Sequence, residues 1–422
     1  MTNTIDELFA EDGPLPSVFD GYEPRPSQVA MAHAVAKAIE DGGHLIVEAP
    51  TGTGKSLAYG IPAAEYAART GGRVVIATAN LALQDQIAKK DMPTIQEAMP
   101  FDFDFALRKG VSNYVCQNIT HSELLEGEAL EIAKWSRTPG CSGDKADLGW
   151  VPDWKAWNSV SVDSSACIGK DCPFLASCFA KQGQHADVMI TNHHLVIIDR
   201  LIRYKSGGAA SIFGQIDALI IDEAHDLADV ARQMFTSSFS RKRAESVARH
   251  VSIELGSAMM QSIVDLERSM ESVRGNKDEL RIESIEGPMR EIAQVIQDQL
   301  DEASSELNAK IGDLVRLKSA TVKASDRAEV AKKLSTLNKS ALGAFAMREI
   351  LGSLIDPRDD DEDIYVLTEH KIERRGCYVG RRLASMVWTS VPTVLTSATL
   401  STSGREPFEQ FADEVGMSRV GR

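Results

Sequence analysis

The stretch "HLIVEAPTGTGKSLAYGIPAAEYAART", residues 44 to 70, constrains this chain more than any other. A buried-strand run, "HLIVEA", passes at once into a glycine-rich turn and then into a segment with helical spacing that ends at Gly71-Gly72. A strand, tight turn and helix in immediate succession aim the backbone N–H groups of the turn and the helix N-terminus at one point, where they can hold an anion. Lys55 adds a positive charge there, and the Ser56 hydroxyl can ligate Mg²⁺ beside a bound phosphate. Thr51, Gly52, Thr53 and Gly54 complete the candidate loop, although Ala49 stands where a first glycine is usual. The competing reading is an ordinary glycine-rich turn; "GKS" together with the strand and helix context argues against it. "RVVIATA" (73–79) is a second strand-length apolar run, so the pattern predicts a βαβ unit and a parallel sheet.

"LIIDEAH" (219–225) ends a further apolar run on two carboxylates. At a strand end, Asp222 can hold Mg²⁺ through water while Glu223 polarises an attacking water. An acidic helix N-terminus would also use these residue types, but beside the candidate phosphate loop the pair points to nucleotide hydrolysis. "ADVMITNHHLVII" (186–198) carries the same buried-strand character. Its two histidines are expected in structural hydrogen bonds.

Between these runs, from about 105 to 185, periodicity loosens. Trp135, Trp150, Trp154 and Trp157 crowd together with five of the six cysteines. The tryptophans are expected to pack this small insertion, with base stacking as the alternative. Cys116 is followed by Cys167, Cys172 and Cys178 in "CIGKDCPFLASC". The N-terminus is acidic, without a basic, apolar leader, and no apolar run is long enough for a membrane span. A cytoplasmic location without membrane contact is therefore expected. Reduced thiols in such a compartment shift the odds from disulfides to metal ligation. Four thiolates suit tetrahedral zinc or a [4Fe-4S] cluster; one distant cysteine plus gaps of four and five residues is unlike the paired spacing of zinc sites. Cys141 and Cys377 are read as ordinary thiols.

Residues 230–355 are dominated by long helical segments with apolar positions three and four apart, an antiparallel helical insertion. After the acidic run "DPRDDDED", "IYVLTEH", "GCYVG" and "TVLTSATL" read as strands. The net charge of −15 excludes a general polyanion-binding surface, so nucleic acid would need a local basic track. "HKIERRGCYVGRR" (370–382), with Lys371, Arg374, Arg375, Arg381 and Arg382, is one candidate, and a solvated charged hairpin is the equal alternative.

Taken in order, "APTGTGKS", "DEAH" and "TSATL" resemble motifs I, II and III of superfamily 2 helicases. "RPSQ" (25–28) is similar to the adenine-contacting element upstream of motif I, and "TANLALQDQI" (78–87) to motif Ia, which in such enzymes lies against the DNA backbone. The resemblance is closest to the DinG branch of the XPD-like iron-sulfur DNA helicases. It implies an α/β fold: a RecA-like parallel sheet (1–105, 186–232 and 366–422) carrying an iron-sulfur insertion (106–185) and a helical arch (233–365). It further implies ATP, Mg²⁺ and a [4Fe-4S] cluster as cofactors. Arg25, Gln28, residues 51–56, Asp222 and His225 would meet nucleotide, Lys55, Asp222 and Glu223 would act in hydrolysis, and Cys116, Cys167, Cys172 and Cys178 would ligate the cluster. The implied activity is ATP-driven, 5′ to 3′ unwinding on single-stranded and forked DNA.

One departure matters. "SATL" is reached at 397–400 and only 22 residues follow, too few for a second RecA-like domain with its arginine finger. The expectation is therefore an N-terminal half that is not an autonomous helicase, its other half truncated or carried by a separate polypeptide. The alternative is a non-catalytic iron-sulfur DNA-binding or redox-sensing module.

Overall fold

The computed structural model describes all residues except 1, 20–21, 122–124, 165–166, 168, 182, 184, 322–323, 358–362, 403–405 and 421–422. Ten strands are described, in chain order: β1 (His44–Glu48), β2 (Val74–Thr78), β3 (Phe105–Leu107), β4 (Val188–Asn192), β5 (Ala218–Asp222), β6 (Ser237–Ser240), β7 (Leu280–Ile282), β8 (Asp363–Leu367), β9 (Lys371–Gly376) and β10 (Thr393–Ser397). They form two sheets, one in each of two compact units.

The first unit comprises Met1–Gly110, Ala180–Met234 and Tyr378–Arg422. Its sheet has six parallel strands in the order β1-β10-β5-β2-β4-β3. β2, β5 and β10 are buried along their whole length, which is why their sequences are continuous apolar runs with no alternation. Helices Pro26–Glu40 and Lys55–Thr70 pack through Met31, Val35, Ile39, Leu57, Ile61 and Ala64 into the same core. An N-terminal helix, Thr2–Phe9, adds Ile5, Leu8 and Phe9 to that core, a contribution its acidic sequence does not advertise. "HHLVII" does not continue strand β4: Asn192 accepts a hydrogen bond from the Leu195 amide and so caps a helix over His193–Lys205.

The second unit comprises Val111–Phe179 and Phe235–Cys377. Long helices Ile253–Arg274, Gly287–Ala320 and Ala324–Ile355 share a core that includes Met259, Ile263, Leu300, Leu307, Met347 and Leu351. Against them lies an antiparallel sheet, β6-β9-β8-β7. β8 and β9 therefore belong with the helical insertion, not with the parallel sheet to which residues from 366 onward were assigned by sequence. "GCYVG" is likewise no strand: β9 ends at Gly376 and a helix runs over Val379–Leu383. Apolar runs of five residues carry no label for which sheet they join; register partners far away in sequence decide it.

Among the described residues, the cysteine-rich part of this unit has a small hydrophobic cluster of Val115, Ile132, Leu148, Trp157 and Val160. Trp157 is buried and donates its indole N–H to the Ser112 carbonyl at 2.8 Å, and Trp135 packs beside it. Trp150 and Trp154 do not join: they are 42% and 71% exposed. The packing role expected of the four tryptophans thus holds for two.

Candidate nucleotide-binding site

In a parallel sheet the loops at the strand C-termini converge on one edge, and the side chains singled out by sequence lie there. After β1, the chain turns through Ala49–Gly54 into the helix Lys55–Thr70. Gly54 has φ +75°, and a Cβ on it would stand 2.0 Å from Gln28 Nε2, so both backbone and space demand glycine. Gln28, itself buried, donates from Nε2 to the Gly54 carbonyl at 2.9 Å, and Arg25 donates to the Gly52 carbonyl. Both residues of "RPSQ" thereby clamp the loop. Thr53 Oγ1 closes the turn onto the Pro50 carbonyl at 2.8 Å, while Thr51 is exposed.

Lys55 Nζ lies 2.9 Å from Glu223 Oε1 and 3.8 Å from Asp222 Oδ1. The two carboxylates of β5 and its following turn therefore meet the loop lysine across 168 residues of sequence. Glu223 is the sole non-glycine residue with positive φ among the described residues, at +50°. Backbone in this region costs of order 1 kcal/mol and is characteristic of functional turns. Burial alone would raise the Glu223 carboxyl, but the Lys55 ammonium and the Ser397 hydroxyl outweigh it and hold the group below its ordinary value, ionised. Asp222 goes the other way. Burial pushes its carboxyl up and Glu223 reinforces the shift against Lys55. Asp222 Oδ2 accepts from the Tyr59 hydroxyl at 3.2 Å, whereas buried Oδ1 has no hydrogen-bond partner among the described residues. A buried, orphaned carboxylate oxygen beside a phosphate loop fits a hard divalent cation such as Mg²⁺.

Motif III completes the edge. Ser397, at the end of β10, donates to Glu223 Oε2 at 3.1 Å and faces His225 Nδ1 at 2.6 Å. Glu48, the last residue of β1, accepts from the amides of Leu400 and Ser401 at 2.6 Å each. Ser397 lies within the "TSATL" segment but was given no role by sequence, and Glu48 was not singled out; a lone carboxylate closing an apolar strand was its available signal. His193 is fully buried and donates from Nε2 to the Asp222 carbonyl at 2.8 Å, bracing the acidic turn from below. Burial lowers its pKa to about 4, so the ring is neutral. This is the structural hydrogen bonding expected of "TNHHL" for the first of its two histidines, while His194 is exposed.

The cysteines lie in the second unit. Cys116 precedes a short helix, Gln117–Thr120, and is half-buried, with the Ile119 and Asn118 amides near enough to favour its thiolate. Burial raises its pKa against those amides, with Cys172 and Cys167 near enough to add repulsion. Cys167 is exposed and Cys178 partly so. Among the described residues no group of three or more His, Cys, Asp or Glu side chains is close enough together to hold a metal ion. The soft thiol donors nonetheless suit an iron-sulfur centre, and the small core beside them suits a fold that needs one.

Of the basic stretch 370–382, Lys371, Arg374 and Arg375 lie on β9 and are committed within its sheet, while Arg381 and Arg382 lie on the helix Val379–Leu383 of the first unit. Arg375 forms a forked ion pair with Glu279, at 2.6 and 2.9 Å, and also meets Glu373; Arg374 pairs with Asp363 at 2.5 Å, and Lys371 with Glu373. That arrangement matches the charged hairpin rather than an open phosphate track.

Among the described residues, no helix is long and apolar enough to cross a membrane. Residues 29–100 match the DEAD/DEAH box helicase family. The chain is 36% identical over 258 residues to the ATP-dependent DNA helicase YoaA of Escherichia coli, covering 58% of this chain and 40% of that protein. It is 36% identical over 262 residues to the ATP-dependent helicase DinG of Mycobacterium tuberculosis, covering 54% of this chain and 38% of that protein. A solved XPD helicase superposes with a TM-score of 0.51 over 94% of this chain and 61% of that one; at 15% identity this likeness concerns the fold. The chain thus spans about two fifths of the length of these sequence relatives, and it is similar in sequence to DinG and YoaA helicases over that span and in fold to an XPD helicase.

Proposed function

We propose that this chain supplies the first, nucleotide-binding motor portion of an ATP-dependent DNA helicase of the DinG type. The observation that carries the reading is the Lys55–Glu223–Asp222 constellation at the mouth of the clamped loop. Phosphate arriving on the loop amides draws Lys55 away from Glu223, and the released carboxylate, still held by Ser397, is left to orient and deprotonate the attacking water. Mg²⁺ held by Ser56 and by Asp222 Oδ1 would neutralise charge on the terminal phosphates. Arg25, Gln28, Thr51, Gly52, Thr53 and Gly54 would frame the base and phosphates, and His225 would link Ser397 to the γ-phosphate side.

Residues 1–105, 186–232 and the C-terminal segment form the RecA-like motor portion in this reading, residues 106–185 the iron-sulfur domain and the long helices an arch. Cys116, Cys167, Cys172 and Cys178 would ligate a [4Fe-4S] cluster whose role is to pin a weakly cored domain. Single-stranded and forked DNA are the proposed substrates, with 5′ to 3′ movement, in the cytoplasm. The chain spans about two fifths of its sequence relatives, so nucleotide binding and hydrolysis are proposed for these residues, and unwinding for the whole protein of which they would form the nucleotide-binding portion. The test is binding of a fluorescent ATP analogue and DNA-stimulated phosphate release by this chain. Both should be abolished by Lys55→Ala, and an unchanged Lys55→Ala protein would refute the motor reading in favour of a non-catalytic DNA-binding or redox-sensing module.

A further inference from the structure

Glu48 ends β1, the strand that leads into the phosphate loop, yet its carboxylate is committed to residues at the far end of the chain. Oε2 accepts the Leu400 and Ser401 amides at 2.6 Å each, and Oε1 accepts the Ser401 hydroxyl at 2.9 Å. Two successive backbone N–H groups around one carboxylate make the kind of cradle in which backbone holds an anion. The Ser401 and Leu400 amides, followed by the Ser401 hydroxyl, hold the Glu48 carboxyl below its ordinary value, so it is ionised near neutral pH. An ionised carboxylate is acceptor-only and has lone pairs for all three donors.

The stretch held in this way begins at Ser397. That residue is fully buried, and its carbonyl accepts the Ala49 amide at 3.0 Å. Its hydroxyl lies between Glu223 Oε2, at 3.1 Å, and His225 Nδ1, at 2.6 Å, and the Thr399 amide reaches the same oxygen at 3.5 Å. With an N–H directed at its lone pair, the hydroxyl keeps its one proton for Glu223. Residues 398–402 belong to no helix or strand, so no ladder fixes them. The turn is instead tied at its start to the acidic turn and at its end to Glu48.

We infer that Glu48 is a positioning residue for hydrolysis: by fixing the turn after β10 to the strand that carries the phosphate loop, it keeps the Ser397 hydroxyl on Glu223. The role rests on the nucleotide reading above. Once Lys55 turns to phosphate, Glu223 Oε2 is held by Ser397 and faced by His225 at 3.3 Å, and His225 is itself set by its contact with Ser397. A turn free to shift would therefore release both neighbours of the proposed base together.

The test is single-turnover phosphate release, paired with fluorescent ATP-analogue binding, by the full 422-residue chain. Misplacement by about 1 Å at a reacting centre can cost about 10²-fold, so Glu48→Ala should slow release by about 10- to 100-fold. Nucleotide affinity should stay within about threefold, because the contact at stake serves the transition state and not the bound ground state. Glu48→Gln, whose amide oxygen has two lone pairs for the two backbone donors, should restore most of the rate. In a Ser397→Ala background Glu48→Ala should cost less than about threefold more, since it acts through that hydroxyl. Apart from turnover, Glu48→Ala should speed hydrogen exchange at the Leu400 and Ser401 amides while those of β10 stay protected. If Glu48→Ala fails to fold, Glu48→Leu keeps a side-chain stem without an acceptor and carries the same expectations. A wild-type rate in a folded variant without the acceptor, parallel loss of rate and affinity, full additivity with Ser397→Ala, or fast exchange of both amides in the wild type would overturn the assignment. Wild-type protein that releases no phosphate would instead overturn the nucleotide reading, and hydrogen exchange would still decide whether Glu48 holds the turn.

Discussion

Replacing Glu223 with Gln should tighten nucleotide binding while crippling hydrolysis. Lys55 Nζ and Glu223 Oε1 are 2.9 Å apart, with the side chains 11% and 20% exposed. At an effective dielectric of 20 the gross attraction is roughly 6 kcal/mol, most of which is offset by the desolvation of both ions. The net charge-assisted hydrogen bond is worth about 1.5–3 kcal/mol, and a neutral amide retains about half of it. Nucleotide must break this contact to claim Lys55, and its phosphates must also approach the Glu223 charge. Both effects have the same sign, so Glu223→Gln should lower the dissociation constant by about 5- to 30-fold, corresponding to about 1–2 kcal/mol. Loss of the base should cut turnover by about 10²- to 10⁴-fold. The assay is a fluorescent-nucleotide titration across a salt series, paired with single-turnover phosphate release. Weaker or unchanged binding would show that Glu223 does not hold Lys55 in the free protein, and the proposed exchange of partners would fail.

Three further outcomes are expected. His193 is neutral in the fold with a pKa of about 4, against 6.5 unperturbed, so between those values the unfolded chain binds a proton that the native chain refuses. Stability should therefore rise with pH through that window by about 3 kcal/mol from this residue, and urea melts of His193→Gln should show a shallower pH slope than wild type; equal slopes would remove His193 from the account. Cys116→Ser should abolish iron content and visible absorbance of anaerobically purified protein and open residues 111–179 to protease, while nucleotide binding persists; zinc in place of iron in the wild type would overturn the cluster assignment. Arg375→Ala should cost about 1 kcal/mol or less, because its ion pairs are partly exposed, and should leave DNA affinity unchanged; a marked loss of DNA binding would restore residues 370–382 as a phosphate track.

Much of the motor unit was legible because its signals are local. A strand that must be buried on both faces reads as an apolar run, a loop that must reach φ +75° reads as glycine, and a charge needed at a strand end stands in its sequence place. The phosphate loop, the acidic turn and the helical character of the insertion follow from that directly. "HHLVII" misled because the apolar pattern of a buried strand and of a helix are the same over six residues, and the Asn192 cap decided between them. β8 and β9 misled for a related reason, since pairing with β6 and β7 is a matter of register across more than 80 residues.

By itself, then, the sequence placed the groups on which the proposed nucleotide chemistry rests: the loop, the lysine and the two carboxylates. Tertiary structure alone decided how those groups are held. Tyr59, His193, Glu48 and Ser397 act through contacts with residues distant in the chain, which only the packed sheet and its helices bring together. Periodicity reports which face of an element is buried; it does not report what that face meets, because the partner is supplied by packing and not by neighbours in sequence.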